Sequence, residues 1–297
     1  MVTDAVLQNE NNTVLPLQAH CPAHPAAHHS AIHQLPLKPK TMSCCPPGSE
    51  PSRATSPHIG RLTQYQNTSL YITGPATAKV GLLAFPDILG PDSGRIKADA
   101  DRLGQLGYAV VLVDVTHGVY LDLVSAYTPE VDRYLLRQDY DTILSPSMHA
   151  GLAYLKQEAQ VEKICSYGYC CGAWQGARLS AEPGSEIRGH VSFHPSWFIE
   201  EVINGEGTAG ALAARVNAPQ LLLSGNNEAP VVFEGGIVDK TLRAREDRVG
   251  ELSRVIDFPD VVHGWVNRGD LSDPVVAKSV SSAWELATKF FETVCAQ

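Results

Sequence analysis

The run Gly168-Tyr169-Cys170-Cys171-Gly172 places two thiols between glycines. A nucleophile flanked at two-residue spacing by glycines, with a strand-like run (163–168) before it and helix-forming residues after it, fits a sharp strand-to-helix turn. The residue at the apex of such a turn takes strained dihedrals. Side chains at the flanking positions would collide with neighbouring elements, which is why glycine stands there. The chemistry such a turn offers is attack of a thiolate on a carbonyl carbon. A helix starting at the turn brings its positive end to Cys170 and favours the anion. The backbone N–H of Cys171 faces the same space and is suited to hold an oxyanion. Taken alone, the run reads more simply as a glycine-bounded turn with buried cysteines. What favours chemistry is the set of partners that follows in the chain.

The base is expected at His263, in Val261-Val262-His263-Gly264-Trp265 after the strand-like run Arg254–Phe258. The acid is expected in Gly225-Asn226-Asn227-Glu228-Ala229-Pro230, where Glu228 is the only carboxylate. Glu228 would orient the imidazole and stabilise its cation. Asn227 is the alternative, since an amide also orients a histidine. His194, in Phe193-His194-Pro195-Ser196, is a rival base. It precedes the acid, against the order nucleophile, acid, histidine, and reads better as a hydrogen-bonded loop histidine near the pocket.

These residues need a scaffold that brings strand ends together. Val80–Phe85, 108–113, 163–168, 190–193, 219–224 and Arg254–Phe258 are short apolar runs. Helical spacing lies between them, as in Ile96, Ala100, Leu103 and Leu106, and in Met148, Leu152 and Leu155. A last helix has Asp273 as cap, Pro274 at its first position and Val276, Val280, Ala283, Ala287 and Phe291 on one face. Alternating strands and helices predict an α/β fold, a mostly parallel sheet with helices on both faces and right-handed crossovers. No internal repeat is visible, so one domain over 60–297 is expected.

Residues 1–59 differ in composition. They are rich in Pro, His, Ser and Asn, lack apolar periodicity, and read as a disordered tail. Six of the 11 histidines lie there, and five of them, His20, His24, His28, His29 and His33, cluster with Cys21, which would suit adventitious metal binding, but no fixed ligand geometry is specified. Met42 is a second possible start. The first 37 residues contain no Lys or Arg, unlike a secretory or transit peptide, and no apolar run reaches the roughly 18 residues of a membrane helix. A net charge of −9 gives no support for nucleic-acid binding. The seven cysteines are irregularly spaced without a CxxC pair, so free thiols in a cytoplasmic setting are expected rather than disulfides or structural zinc.

Residues 60–297 resemble the dienelactone hydrolase family of the α/β-hydrolases. The shared features are Gly168-Tyr169-Cys170-Cys171-Gly172, His263-Gly264-Trp265, the loop 225–230, and Pro86-Asp87-Ile88-Leu89-Gly90 after an early strand. Met42-Ser43-Cys44-Cys45-Pro46-Pro47-Gly48 is similar to the start of eukaryotic, especially fungal, members. The resemblance implies a cysteine nucleophile that opens a lactone, with no cofactor. It implies that Asp87 contacts the resting thiol and that the Ile88 N–H completes the oxyanion hole. Arg268 would bind a substrate carboxylate, and Tyr169, Trp265 and His194 would line the substrate site. Three positions depart from the family pattern: Asp87 is the shorter acid where Glu is also used, Glu228 stands in a shortened acid loop where Asp is usual, and Trp265 replaces a common Phe.

The expected activity is therefore hydrolysis of a lactone or small carboxylic ester through a Cys-His-acid triad and a thioacyl-enzyme, by a monomer or dimer. A non-catalytic or thiol redox-sensing protein is an alternative, given adjacent Cys170 and Cys171. A β-glucan hydrolase is another, although that chemistry asks for two opposed carboxylates.

Overall fold

The computed structural model describes residues 58–296. The expectations for the tail, for its histidines and for Met42 lie outside the described residues.

Eight strands form one sheet in the order β1-β2-β4-β3-β5-β6-β7-β8. They are β1 (Arg61–Tyr65), β2 (Thr68–Thr73), β3 (Val80–Phe85), β4 (Ala109–Val113), β5 (Lys163–Tyr169), β6 (Ile187–Phe193), β7 (Gln220–Gly225) and β8 (Arg254–Phe258). β2 pairs antiparallel with both β1 and β4, and every other pairing is parallel. The parallel strands read as continuous apolar runs because helices cover both faces. One face buries Leu83, Phe85, Val111 and Val113 under helix Ser145–Gln157 and helix Cys171–Ser180. The other buries Leu82, Ala84, Val110, Leu112, Tyr167 and Tyr169 under helices Ile96–Gln105 and Pro274–Ala296.

The six parallel strands stand where the sequence pattern predicts them. The β1–β2 hairpin was not anticipated. Its strands mix polar and apolar residues at the sheet edge, and its turn, Gln66-Asn67, takes positive φ at both residues without a glycine to announce it. Asp273 caps the last helix as expected, its carboxylate accepting from the Val275 N–H at 2.8 Å. Among the described residues, no helix is long and apolar enough to cross a membrane.

The order 4-3-5-6-7-8 places the carboxyl ends of the parallel strands along one edge of the sheet. The loops after β3, β5, β6, β7 and β8 all open there, which is where ligands bind in open α/β sheets.

Candidate active site

Cys170 stands between β5 and helix Cys171–Ser180 with φ 55° and ψ −117°. A non-glycine residue in that region stores on the order of 1–3 kcal/mol of strain, which the surroundings must hold. Three backbone hydrogen bonds do so. The Cys170 N–H donates to Phe193 O at 3.1 Å, and the Cys170 carbonyl accepts from Ser196 N at 3.1 Å and Ala173 N at 3.2 Å. The glycines answer to close approach. A Cβ on Gly168 would lie 2.2 Å from Gly172 O, and one on Gly172 would lie 2.4 Å from Pro86 O. That second contact sets the loop after β3 against the start of helix Cys171–Ser180. Cys171 is the first residue of that helix, where an N–H has no acceptor in its own helix. Ile88 lies in the neighbouring loop and is buried in the same cluster as Cys170 and Cys171.

His263 follows β8 and meets Glu228 from the loop after β7, with Nδ1 2.8 Å from Glu228 Oε2. It also hydrogen-bonds Cys170. Asn227 has a different task, since its Oδ1 accepts from the backbone N–H of His263 at 2.7 Å. The amide thus pins the loop while the carboxylate faces the ring. Cys170 has no exposed surface and His263 is 4% exposed, so their charges act in a medium of low polarity. Burial draws the His263 pKa down, but the Glu228 carboxylate and Cys170 raise it further, to about 10. Burial likewise pushes Glu228 up against the pull of His263. The two rises have opposite causes: the charge of Glu228 raises the imidazole against burial, and burial raises the carboxylate against the pull of the imidazole.

Sequence reasoning missed three residues around this group. Ser196 Oγ donates to Cys170 Sγ at 3.4 Å. Asn267 donates through Nδ2 to Asp87 Oδ2 at 2.9 Å, and its Oδ1 lies 3.0 Å from His194 Nε2. Ser93 Oγ donates to Asp87 Oδ2 at 2.8 Å. The one available signal was proximity in sequence, since Ser196 and Asn267 adjoin residues already singled out at the same sheet edge.

His194 has φ 38° and is buried beside His263, with ring centroids 4.7 Å apart. Burial first, then the neighbouring His263, hold its pKa well below the ordinary value. Since Asn267 Nδ2 donates to Asp87, its Oδ1 is the acceptor and His194 carries its proton on Nε2. Asp87 was expected against the resting thiol. Instead its oxygens accept from Leu89 N at 2.9 Å, from Ser93 and from Asn267, and form an ion pair with Arg268 Nε at 3.1 Å. Asp87 remains close enough to feel the charge of Cys170, but the thiol's hydrogen bonds run to Ser196 and His263. Burial pushes Asp87 up, Arg268 pulls it down, and Cys170 pushes it up again.

Arg268 is enclosed in that ion pair, which differs from an arginine reaching for substrate. Tyr169 corrects the expectation of a substrate contact. It is fully buried, stacks on Phe193 at 5.3 Å and donates its hydroxyl to Asp99 at 3.0 Å. Strand alternation puts it on the same face as Tyr167, beneath the helices. Trp265 packs on Phe258 at 4.7 Å and, with His263, Asp270 and Val276, lines a cavity of about 220 Å³.

A thiol hydrogen-bonded to an imidazole, with a carboxylate behind it and helix-terminal N–H groups beside it, is equipped for acyl transfer. Among the described residues, no group of three or more His, Cys, Asp or Glu side chains could hold a metal ion.

The profile of the dienelactone hydrolase family matches residues 69–295. The chain belongs to that family, and with it to the hydrolases. It is 29% identical to an uncharacterized AIM2 family protein of Schizosaccharomyces pombe, covering 85% of this chain and 99% of that one. It is 24% identical to hydrolase tropI of Talaromyces stipitatus, covering 84% and 95%. Among solved structures it is similar to the dienelactone hydrolase-like promiscuous phosphotriesterase P91 from metagenomic libraries (TM-score 0.59, 20% identity, covering 80% and 99%). It is also similar to the dienelactone hydrolase of Anabaena variabilis (TM-score 0.54, 18% identity, covering 80% and 97%). These structural likenesses establish the α/β-hydrolase fold.

Proposed function

We propose that this hydrolase cleaves a lactone or small carboxylic ester, with Cys170 as nucleophile, His263 as base and Glu228 as the acid behind it. The observation that carries the reading is the hydrogen-bonded series Cys170–His263–Glu228, drawn from three loops at one sheet edge. In the first half-reaction the Cys170 proton moves to His263 and the sulfur attacks the carbonyl carbon. The oxyanion is held by the N–H groups of Cys171 and Ile88. The intermediate collapses to a thioester, and His263 returns the proton to the departing alkoxide. In the second, water attacks the thioester, with His263 taking its proton and then restoring the thiol. In an opened lactone, the alcohol and the new acid remain in one molecule.

Asp87, Arg268, Asn267 and Ser93 form a buried polar group beneath this chemistry that holds His194 through Asn267. We assign His194 a positioning role rather than that of base, because its low proton affinity suits a neutral imidazole and its Nε2–H is committed to Asn267. Two facts weigh against the β-glucan alternative: the Glu228 carboxylate is engaged with His263, and Asp87 is engaged with Arg268.

The test is a panel of lactones and aryl esters with intact-mass detection of an acyl adduct on Cys170. Replacing Cys170 by Ala should lower turnover by roughly several thousandfold while circular dichroism is unchanged. Near-normal turnover in the folded variant would remove Cys170 from the chemistry.

A further inference from the structure

At the opposite edge of the sheet, two further thiols meet. Cys165 lies in β5, five residues before Cys170. Cys295 lies in the last turn of the C-terminal helix Pro274–Ala296. They are 130 residues apart in sequence, yet their sulfur atoms are 3.0 Å apart and both are free thiols. This is closer than ordinary sulfur contact and approaches the roughly 2.05 Å of a disulfide. The bond would form with a movement of about 1 Å.

We propose that Cys165 and Cys295 form an oxidation site that closes to an intramolecular disulfide, with a hydroperoxide as oxidant. The two thiols differ in the way the reaction needs. Cys165 is fully buried, while Cys295 is partly exposed at the end of its helix. Three cations surround that end. Lys163 Nζ donates to Cys295 O, and Arg248 Nη2 donates to Val294 O at 2.8 Å. Arg188 adds its charge to the same place. Lys163, Arg188 and Arg248 also line a cavity of about 470 Å³. The hydrogen bond shared with Cys165 lowers the Cys295 pKa first; burial opposes it, and the three cations lower it further. The same hydrogen bond and burial push Cys165 up. Cys295, partly exposed and beside three cations, is the thiolate that attacks, and the enclosed Cys165 is the thiol that resolves.

With hydrogen peroxide, the Cys295 thiolate attacks one peroxide oxygen and the O–O bond breaks. Hydroxide leaves and takes up a proton as water, and Cys295 becomes a sulfenic acid. The Cys165 sulfur then attacks that sulfur, forming the S–S bond as the S–O bond breaks. The departing hydroxide takes the Cys165 proton as a second water. Two thiols and one peroxide give one disulfide and two waters. The bond would pin the C-terminal helix to the central strand and close a loop of 130 residues. It lies five strand residues from the nucleophile, about 16 Å at roughly 3.3 Å per residue, so it is separate from the hydrolytic site.

The experiment treats the full chain with graded hydrogen peroxide, alkylates the remaining thiols and maps peptides without reduction. The expected product is one cross-linked peptide pair carrying Cys165 and Cys295, with a loss of two hydrogens. It should be absent from Cys295→Ser and from Cys165→Ala, and restored to two thiols by dithiothreitol. The melting temperature of the oxidised wild type should rise by several degrees, and that of the variants should not respond. Recovery of Cys165 and Cys295 as separately alkylated peptides, under peroxide that oxidises Cys170, would overturn the proposal. So would irreversible sulfinic acid at Cys295 without cross-linking. Loss of ester hydrolysis does not enter this readout, so the two proposals fail independently.

Discussion

His190 in β6 and His263 after β8 are both enclosed by the fold, yet they hold protons in opposite ways. His190 Nε2 donates to the Ala173 carbonyl at 3.0 Å, so its Nδ1 accepts from Ser166 Oγ at 2.8 Å. Its partners carry no charge, burial dominates, and its pKa falls to about 3. Burial acts on His263 as well, but Glu228 and Cys170 outweigh it and its pKa rises to about 10. Burial alone makes a histidine a neutral packing element. A carboxylate enclosed with it raises its proton affinity, which suits it to take a proton from a neighbouring thiol. His194 stands between the two, with an amide partner and a charged neighbour.

The largest effect should separate these histidines by activity. His263→Ala should lower kcat/KM for an ester by about 10³–10⁴. Glu228→Gln should lose less, because an amide still positions the ring without stabilising its cation, and His194→Ala should lose least. A loss at His194 equal to that at His263 would mean that the wrong ring was chosen as base.

His190 should show its contribution in stability. His190→Ala removes a buried ring and leaves Ser166 and the Ala173 carbonyl without that partner. Urea denaturation should show a loss of about 2–4 kcal/mol, with kcat/KM of the folded protein nearly unchanged. The pH dependence has a definite sign. A histidine with a folded pKa near 3 and an unfolded one near 6.5 binds protons preferentially when unfolded. Its contribution to stability is therefore present above about pH 6.5 and falls away as pH drops toward 3. His263 runs the other way, contributing fully below about pH 6.5 and losing that contribution as pH rises toward 10. Urea midpoints across pH 3–10 for wild type, His190→Asn and His263→Asn should show one variant flattened on the acid limb and the other on the alkaline limb. The same limb altered in both would erase the contrast.

The smallest effect concerns Asp87. Asp87→Asn removes a negative charge felt by Cys170 and leaves the charge of Arg268 uncompensated, and both changes favour thiolate. Iodoacetamide should alkylate Cys170 faster in the variant, by up to about tenfold where the thiol is incompletely ionised. Superimposed rate-against-pH profiles would detach Asp87 from the nucleophile.

The parallel strands, the glycine-flanked turn at Cys170 and the gathering of the Cys170, Glu228 and His263 loops at one sheet edge were legible in the sequence because each rests on a local rule. Buried strands are short apolar runs, sharp turns need glycine, and strand ends bring loop residues to one edge. Alternation along β5 even specified the inward face of Tyr169, since it shares the parity of Tyr167; the expectation of a substrate contact set that signal aside. The choice between Asn227 and Glu228 was not local. Neighbours in one loop, they diverge because Asn227 meets the His263 backbone while Glu228 meets its ring. The pairing of Asp87 with Arg268, the bridge through Asn267, the hydroxyl of Ser196 on the thiol and the meeting of Cys165 with Cys295 were decided by tertiary structure alone. Most of these contacts join segments far apart in the chain, and all depend on how helices and loops close over the sheet. Local propensity does not encode that closure; packing and the satisfaction of buried polar groups do.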